Sequence, residues 1–273
     1  MRRPTLIEVP YHLGHAHVGL AKGVPVLSEA LAGEASDVVT IDPGPEAPNE
    51  VAASMAVIRA LGPTVRGVVV AGGFPVVLAG NCNSSLGTIA GLGAGVGVVW
   101  FDAHADFNTP DTTPTGFFDG FGLAMLTGSG WRVLRESVEG LHPIPEEHVV
   151  LAGARDVDPK EQERLEASRV RAVDVADLAP ALDDLRTHVD SVYLHFDLDV
   201  LDPSVGRANS LAVDGGPQLD ELAGAIDLVA ERFEVRAAAL TAYEPDWDPE
   251  RAIPAAARVL FERLCATTSR VAA

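Results

Sequence analysis

The stretch Gly97-Val-Val-Trp-Phe101-Asp102-Ala-His104-Ala-Asp106 decides the fold. Its first half is an apolar run rich in β-branched and aromatic residues, the composition of a strand buried on both faces. Its second half sets two carboxylates and an imidazole at i, i+2 and i+4, positions that share one face while the chain stays extended. Similar runs recur on either side, at Val38–Ile41, Pro75–Leu78, Val149–Leu151, Val192–Phe196 and Val235–Leu240, each bounded by Gly, Asp or Pro. Between them lie stretches with helical spacing. The clearest is Pro217 to Phe233, where Leu219, Leu222, Ala223, Ile226, Val229 and Phe233 form one stripe and Pro217 stands near the start. Strand alternating with helix predicts an α/β fold, a three-layer sandwich whose central, mostly parallel sheet is covered by helices on both faces. In such sheets ligands bind at the carboxyl ends of the strands, so the residues just after each run are the ones to read for chemistry.

The 273 residues carry 20 Lys+Arg against 39 Asp+Glu, a formal charge of -19. That balance argues against nucleic acid and anionic membrane surfaces as partners, since both require clustered positive charge. No repeat or polar linker divides the chain, and residues 1–273 are expected to form a single catalytic domain. The two cysteines, Cys82 and Cys265, make no disulfide framework, which leads us to expect a reduced, cytoplasmic protein. The N-terminal MRRPTLIEVPYHLG lacks a continuous apolar core and a small-residue cleavage site, so it does not have the form of a signal peptide. The apolar stretch Gly87 to Phe101 is too short and too Gly-rich to cross a bilayer.

After Val192–Phe196 comes a second acidic pair, Asp197-Leu-Asp199. A lone Asp at a strand end usually caps a helix or turns a loop. Two such clusters, both at strand ends, point elsewhere. Carboxylates that close raise each other's pKa unless a cation neutralises them. Carboxylates with one imidazole suit a hard or borderline divalent ion such as Mn²⁺. Four Asp and one His exceed what one ion with an open position needs, and suit two ions sharing bridging carboxylates.

The segments Trp100–Asn108 and His195–Pro203 resemble the two metal motifs of the arginase (ureohydrolase) family, and the resemblance extends from about Val76 to Glu244. It implies a parallel α/β sheet, two Mn²⁺ per chain and hydrolysis of a guanidino group. It further implies that Asp102, His104, Asp106, Asp197 and Asp199 are metal ligands, with Asp102 and Asp197 bridging and Asp106 relaying a proton. One departure concerns the remaining ligand. Where the family carries a His, the segment Ala79-Gly-Asn-Cys-Asn83 offers Cys82. As a thiolate, Cys82 is expected to complete the ligand set; the alternatives are a small buried Cys or a cluster that has lost one ion. Replacing a neutral imidazole by a thiolate adds negative charge, weakens the metals as Lewis acids and favours a substrate more electrophilic than plain arginine.

By the same resemblance, Asn108, Thr113 and Thr115 bind the substrate α-carboxylate, Asp156, Asp158 and Glu161 hold its α-ammonium, and Glu244 pairs with the guanidinium. Asp158-Pro also suits a helix N-cap. A second departure is Asp119, which stands where the family carries a proton-shuttling His; an Asp is a poor general acid unless desolvated. Kept amino-acid loops with Cys82 and Asp119 resemble the branch of the family that cleaves Nω-hydroxy-L-arginine to hydroxyurea and L-ornithine in antibiotic (D-cycloserine) biosynthesis. Asp119 would then accept a hydrogen bond from the hydroxyl or simply face solvent. The competing expectations are an ordinary L-arginine arginase and a non-catalytic binding protein of the same fold. The partner is a small guanidino amino acid. A chain that stops soon after the helix around Pro254–Cys265 favours a monomer over the family's common trimer. His12, His15 and His17 are expected in a Gly-containing N-terminal loop, with a pocket rim or a second metal site as the alternative, and His195 is assigned no role.

Overall fold

The computed structural model describes residues 4–45 and 47–267. Arg2, Arg3 and the segment beyond Thr267, on which the signal-peptide and oligomer expectations partly rest, lie outside the described residues. Eight strands form one sheet: β1 (Pro4–Val9), β2 (Asp37–Thr40), β3 (Phe74–Ala79), β4 (Gly97–Phe101), β5 (Val149–Ala152), β6 (Arg171–Val173), β7 (Ser191–Asp197) and β8 (Glu234–Thr241). Their spatial order is β2-β1-β3-β8-β7-β4-β5-β6, and every neighbouring pair is parallel. Parallel neighbours require crossovers, and helices supply them.

The six expected strands all form, with no bound moved by more than one residue. Two were not read from the sequence. In β1 the apolar run is broken by Glu8, whose Oε2 accepts from Thr40 Oγ1 (2.5 Å) on the edge strand β2. The edge strand β6 is three largely exposed residues, too short for a period to show.

Alternation along the buried strands sorts their side chains into two layers. Val99, Phe101, Leu194 and Phe196 join one core with α1 (Gly23–Leu31), α7 (Leu178–Leu185), α8 (Leu219–Ala230) and α9 (Ala252–Thr267). Val98, Trp100 and Tyr193 point the other way, into a core with α2 (Glu50–Val70), α3 (Ser85–Leu92) and α4 (Gly122–Leu126). Helix α8 starts at Leu219, the first residue of its apolar stripe and two residues after Pro217, and ends at Ala230, before Phe233. Gln218 is the N-cap, with Glu221 closing a capping box, and Pro217 lies just before it.

By length and composition α2 is long and apolar enough to cross a membrane, which the sequence reading overlooked. Its Met55, Ile58, Leu61 and Val65 are buried in the second core, as in an interior helix of a folded domain. Glycines set its approach to α3: a Cβ on Gly91 would lie 2.6 Å from Gly62 O, and one on Gly87 2.6 Å from Ile58 O.

Candidate metal centre

The four central strands, β3, β8, β7 and β4, end side by side. Phe101 pairs with Phe196, Thr241 with Asp197 and Ala79 with Thr241, so the residues that follow emerge at one level. Asp102, Asp106, Asp197 and Asp199 are all buried there. Their orientation is fixed by short bonds from the protein. Asp102 accepts from Trp100 Nε1 (2.9 Å) and from the His104 backbone N–H (2.7 Å). Asp197 Oδ1 accepts from the Asp199 N–H (2.8 Å), and Asp199 Oδ2 from Asn209 Nδ2 (3.1 Å). Asp106 has left-handed backbone (φ 49°), a strained state for a residue with a Cβ. The N–H groups of Leu123 and Ala124, at the start of α4, hold it there by donating to its carbonyl (2.9 and 3.1 Å).

Burial raises the pKa of Asp102, Asp106 and Asp197, and the charge of the neighbouring acids raises it further. Burial works against a charged His104, but the hydrogen bond to Asp102 and the charges of Asp199, Asp102 and Asp156 prevail and raise its pKa to about 9. Asp106 Oδ2 is buried with no hydrogen-bond partner. A buried carboxylate oxygen without a proton donor, among further acids, fits a cation and little else. Among the described residues two groups have ligand atoms close enough to hold an ion: Cys82, Asp102 and His195, and Asp102, His104 and Asp199. They share Asp102.

Cys82 lies in the short turn between β3 and α3, buried, with Sγ 3.1 Å from Asp197 Oδ2. Without a cation, burial and the surrounding acids push its thiol pKa well up. Asp119 does not face solvent, contrary to one of the two sequence expectations. It is buried, and its carboxylate grips the Cys82 turn: Oδ2 accepts from Asn81 Nδ2 (2.6 Å) and Oδ1 from the Asn83 N–H (2.9 Å). Burial raises its pKa to about 6 in spite of these donors. The two departures noted in the sequence are thus one structural unit.

A cavity of about 540 Å³ opens in front of these groups. Asn108, Thr113, Thr115, Asp156, Asp158, Glu161 and Glu244 all line it, together with Cys82, His104, Asp106, Asp119, Asp197 and Asp199. Asp102 lies behind them and is not part of the lining. Some of these side chains are already occupied. Asp158 and Glu161 form the capping box of α6 (Pro159–Ala167), and Glu161 Oε1 also accepts from the Phe107 N–H (2.7 Å). Asn108 Nδ2 donates to Asp158 Oδ2 (3.0 Å), joining the two substrate loops. Thr113 and Thr115 accept from backbone N–H groups of their own loop.

Several residues escaped the sequence reading. His195 lies on the Asp197 side of β7, stacked on Trp100 (ring centroids 3.6 Å apart); two-residue alternation alone places it there, and was the available signal. His12 and His15 pair in a short antiparallel hairpin and not in a loop; His12 lines the cavity, while His15 and His17 are exposed. Asn209 bonds Asp199 and the Ala242 carbonyl from a loop with no periodicity to flag it. Arg155 donates to the carbonyls of Asp199 (3.1 Å) and Val200 (3.2 Å), bracing the second acidic motif.

A parallel sandwich with buried acids converging at its carboxyl edge is the frame of a metal-dependent hydrolase. Residues 6–266 match the sequence profile of the arginase family, and the chain belongs to that family. It is 34% identical over 194 residues to the arginase of Bacillus caldovelox, covering 66% of this chain and just under two thirds (64%) of that protein. The solved structure of that Bacillus caldovelox arginase superposes with a TM-score of 0.86 at 28% identity, covering 97% of this chain and 98% of the other. The arginase of Entamoeba histolytica, solved in complex with L-ornithine, gives a TM-score of 0.83 at 25% identity over 97% and 99% of the two chains.

Proposed function

We propose that the chain hydrolyses the guanidino group of an α-amino acid, using two Mn²⁺ held by Cys82, Asp102, His104, Asp106, Asp197 and Asp199. When bound, such ions ionise water at neutral pH and withdraw electrons from the carbon under attack. The protein's own groups do the rest. Asp106, which lines the cavity, takes up the proton released by the attacking water. Glu244 fixes the guanidinium plane from the cavity wall. Asn108, Thr113 and Thr115 receive the α-carboxylate, and Asp156, on the opposite loop, the α-ammonium. Asp158 and Glu161, tied into the helix cap, hold that loop in place. The L-ornithine in the Entamoeba histolytica arginase supports an intact amino-acid end for the ligand.

For the substrate, the observation that carries the finer reading is the joined unit of Cys82 and Asp119. Asp119 is bound to the Cys82 turn through both oxygens, and these donors favour its carboxylate over the acid needed to protonate a strongly basic leaving amine, even though burial raises its pKa to about 6. Nω-hydroxy-L-arginine needs no such delivery, because the hydroxyl makes its leaving nitrogen less basic; the products are hydroxyurea and L-ornithine. This reading also carries the link to D-cycloserine assembly. The second reading is plain L-arginine, and the relatives above, all arginases, favour it over the first. Parallel rates on the two substrates with Mn²⁺-loaded protein separate them. A kcat/KM at least tenfold higher for the hydroxylated substrate supports the first, and equal or higher turnover of L-arginine removes it. Fewer than two ions per chain after loading, with neither substrate cleaved, would leave only a binding protein.

A further inference from the structure

The proposed chemistry makes no use of His12, although the residue lines the cavity together with Glu244. Its hairpin is held against the metal end of that cavity. The Leu13 N–H donates to Asn81 Oδ1 (2.6 Å), and Asn81 Nδ2 donates to Asp119 Oδ2 (2.6 Å). The backbones meet there as well: a Cβ on Gly80 would lie 2.2 Å from the Tyr11 carbonyl oxygen. The half-buried ring is itself fixed. His12 Nδ1 accepts from the Leu20 N–H (3.2 Å). Gly19, with φ 46°, makes room for that edge of the ring, since a Cβ there would lie 2.7 Å from Nδ1 and 3.1 Å from Cε1. Among the described residues the other ring nitrogen, Nε2, has no hydrogen-bond partner.

We propose that His12 is a specificity-determining residue, whose Nε2–H donates to an oxygen carried by the terminal guanidino nitrogen of the substrate. The inference rests on the reading of the substrate as a hydroxylated guanidino amino acid, and deepens it. The tautomer is set by the backbone. A ring nitrogen that accepts a bond carries no proton, so the neutral imidazole has its single proton on Nε2. A charged ring would set an Nδ1–H against the Leu20 N–H, and burial of the ring also lowers its pKa. His12 is therefore a fixed neutral donor, and not an acid that stands in for the shuttling His replaced by Asp119. Its place is the guanidino end of the cavity. The hairpin is bound to the Cys82–Asp119 unit through Asn81, and the acid that acts most strongly on the charge of the ring is Glu244, which the proposed chemistry sets against the guanidinium. A guanidinium offers five N–H donors and no acceptor, so a ring N–H set against plain arginine meets no partner there. An N-hydroxyguanidine carries an oxygen that accepts. A donor matched by one substrate and unmatched by the other discriminates between them.

The test compares kcat/KM on Nω-hydroxy-L-arginine and L-arginine for the full-length protein loaded with Mn²⁺. H12F keeps a ring and removes the donor, while H12Q keeps a side-chain N–H. H12F should lower the ratio of the two values by about 3–10-fold, the loss falling on the hydroxylated substrate, as expected for one hydrogen bond. H12Q should retain most of the preference. A second readout is independent of turnover. In ¹⁵N-histidine spectra of the full-length protein, recorded before metal loading and assigned by the signals lost in H12Q, His12 should carry its proton on Nε2 and none on Nδ1 at neutral pH. An unchanged ratio in H12F, an H12Q as unselective as H12F, or a proton on Nδ1 would each overturn the inference and leave the substrate reading standing. An unsubstituted protein that cleaves L-arginine as well as the hydroxylated substrate would instead remove the substrate reading, and the inference with it.

Discussion

The face of the sheet beneath α8 and α9 and the carboxyl edge of that sheet obey opposite rules. Under the two helices, Ile226, Val229, Leu260, Phe261 and Leu264 share one buried cluster with Leu194, Phe196 and Leu240. These side chains bring no polar atom with them, and their burial contributes stability in proportion to area. A few residues further along the same strands, Asp102, Asp197 and Asp199 are buried to a similar degree and carry charge. There burial opposes folding until a ligand balances it. One layer holds the fold together, and the edge holds a strained, negatively charged site on the rigid frame that layer supplies.

The sharpest way to break this contrast is Asp197→Asn. Activity should fall by about 10³-fold or more, equivalent to about 4 kcal/mol of transition-state stabilisation. The metal-free protein should nevertheless melt higher, because one buried like charge has gone. A lower Tm in the chelated variant would contradict the view that the edge is destabilising without cations. Loading with Mn²⁺ at about 100 times its Kd should stabilise the unsubstituted protein by about 2.7 kcal/mol, and the variant by clearly less.

Leu260→Ala probes the other region. A cavity there should cost about 2–5 kcal/mol in denaturant unfolding while kcat/KM stays within about threefold, provided the assay is run below the new transition. A large loss of activity in the folded variant would show that the two regions are not separable.

The smallest effect is expected at Asp202, outside both regions. Its carboxylate accepts from Ser204 Oγ, Ser204 N and Gly215 N, and these bonds pull its pKa down from 3.8 to about 2. A depressed folded-state pKa contributes stability above the unfolded value, and loses it as pH falls from about 4 through about 2. The group is only half-buried, so solvent screening keeps the contribution below about 1 kcal/mol. Asp202→Ala should flatten stability against pH across that window and leave the neutral-pH rate unchanged.

The contrast also explains what could be read before the structure. The core strands announce themselves as runs such as Val192–Phe196, because burial on both faces demands apolar residues throughout. Asp102, His104, Asp106, Asp197 and Asp199 were legible as acids and an imidazole clustered just past two apolar runs, although the chain leaves the strand after Phe101 and after Asp197, so turns and not the two-residue period bring them together. The clasp between Asp119 and the Cys82 turn was not, since Asn81 and Asp119 meet only after α3, β4 and a long loop have folded. Asn209 and Arg155 act through loop carbonyls and single bonds, which leave no periodic trace. His195 was within reach: two-residue alternation within β7 places it on the same face as Asp197.

Asp102 belongs to both groups of potential ligand atoms, and the Cys82 sulfur to one of them. The direct measurement is a crystal structure of Mn²⁺-loaded protein with anomalous data collected at the manganese edge. Two peaks per chain flanking Asp102, one of them within bonding distance of Cys82 Sγ and the other of His104, are the predicted result. A single peak, or two peaks with the Cys82 sulfur turned away from both, would contradict it.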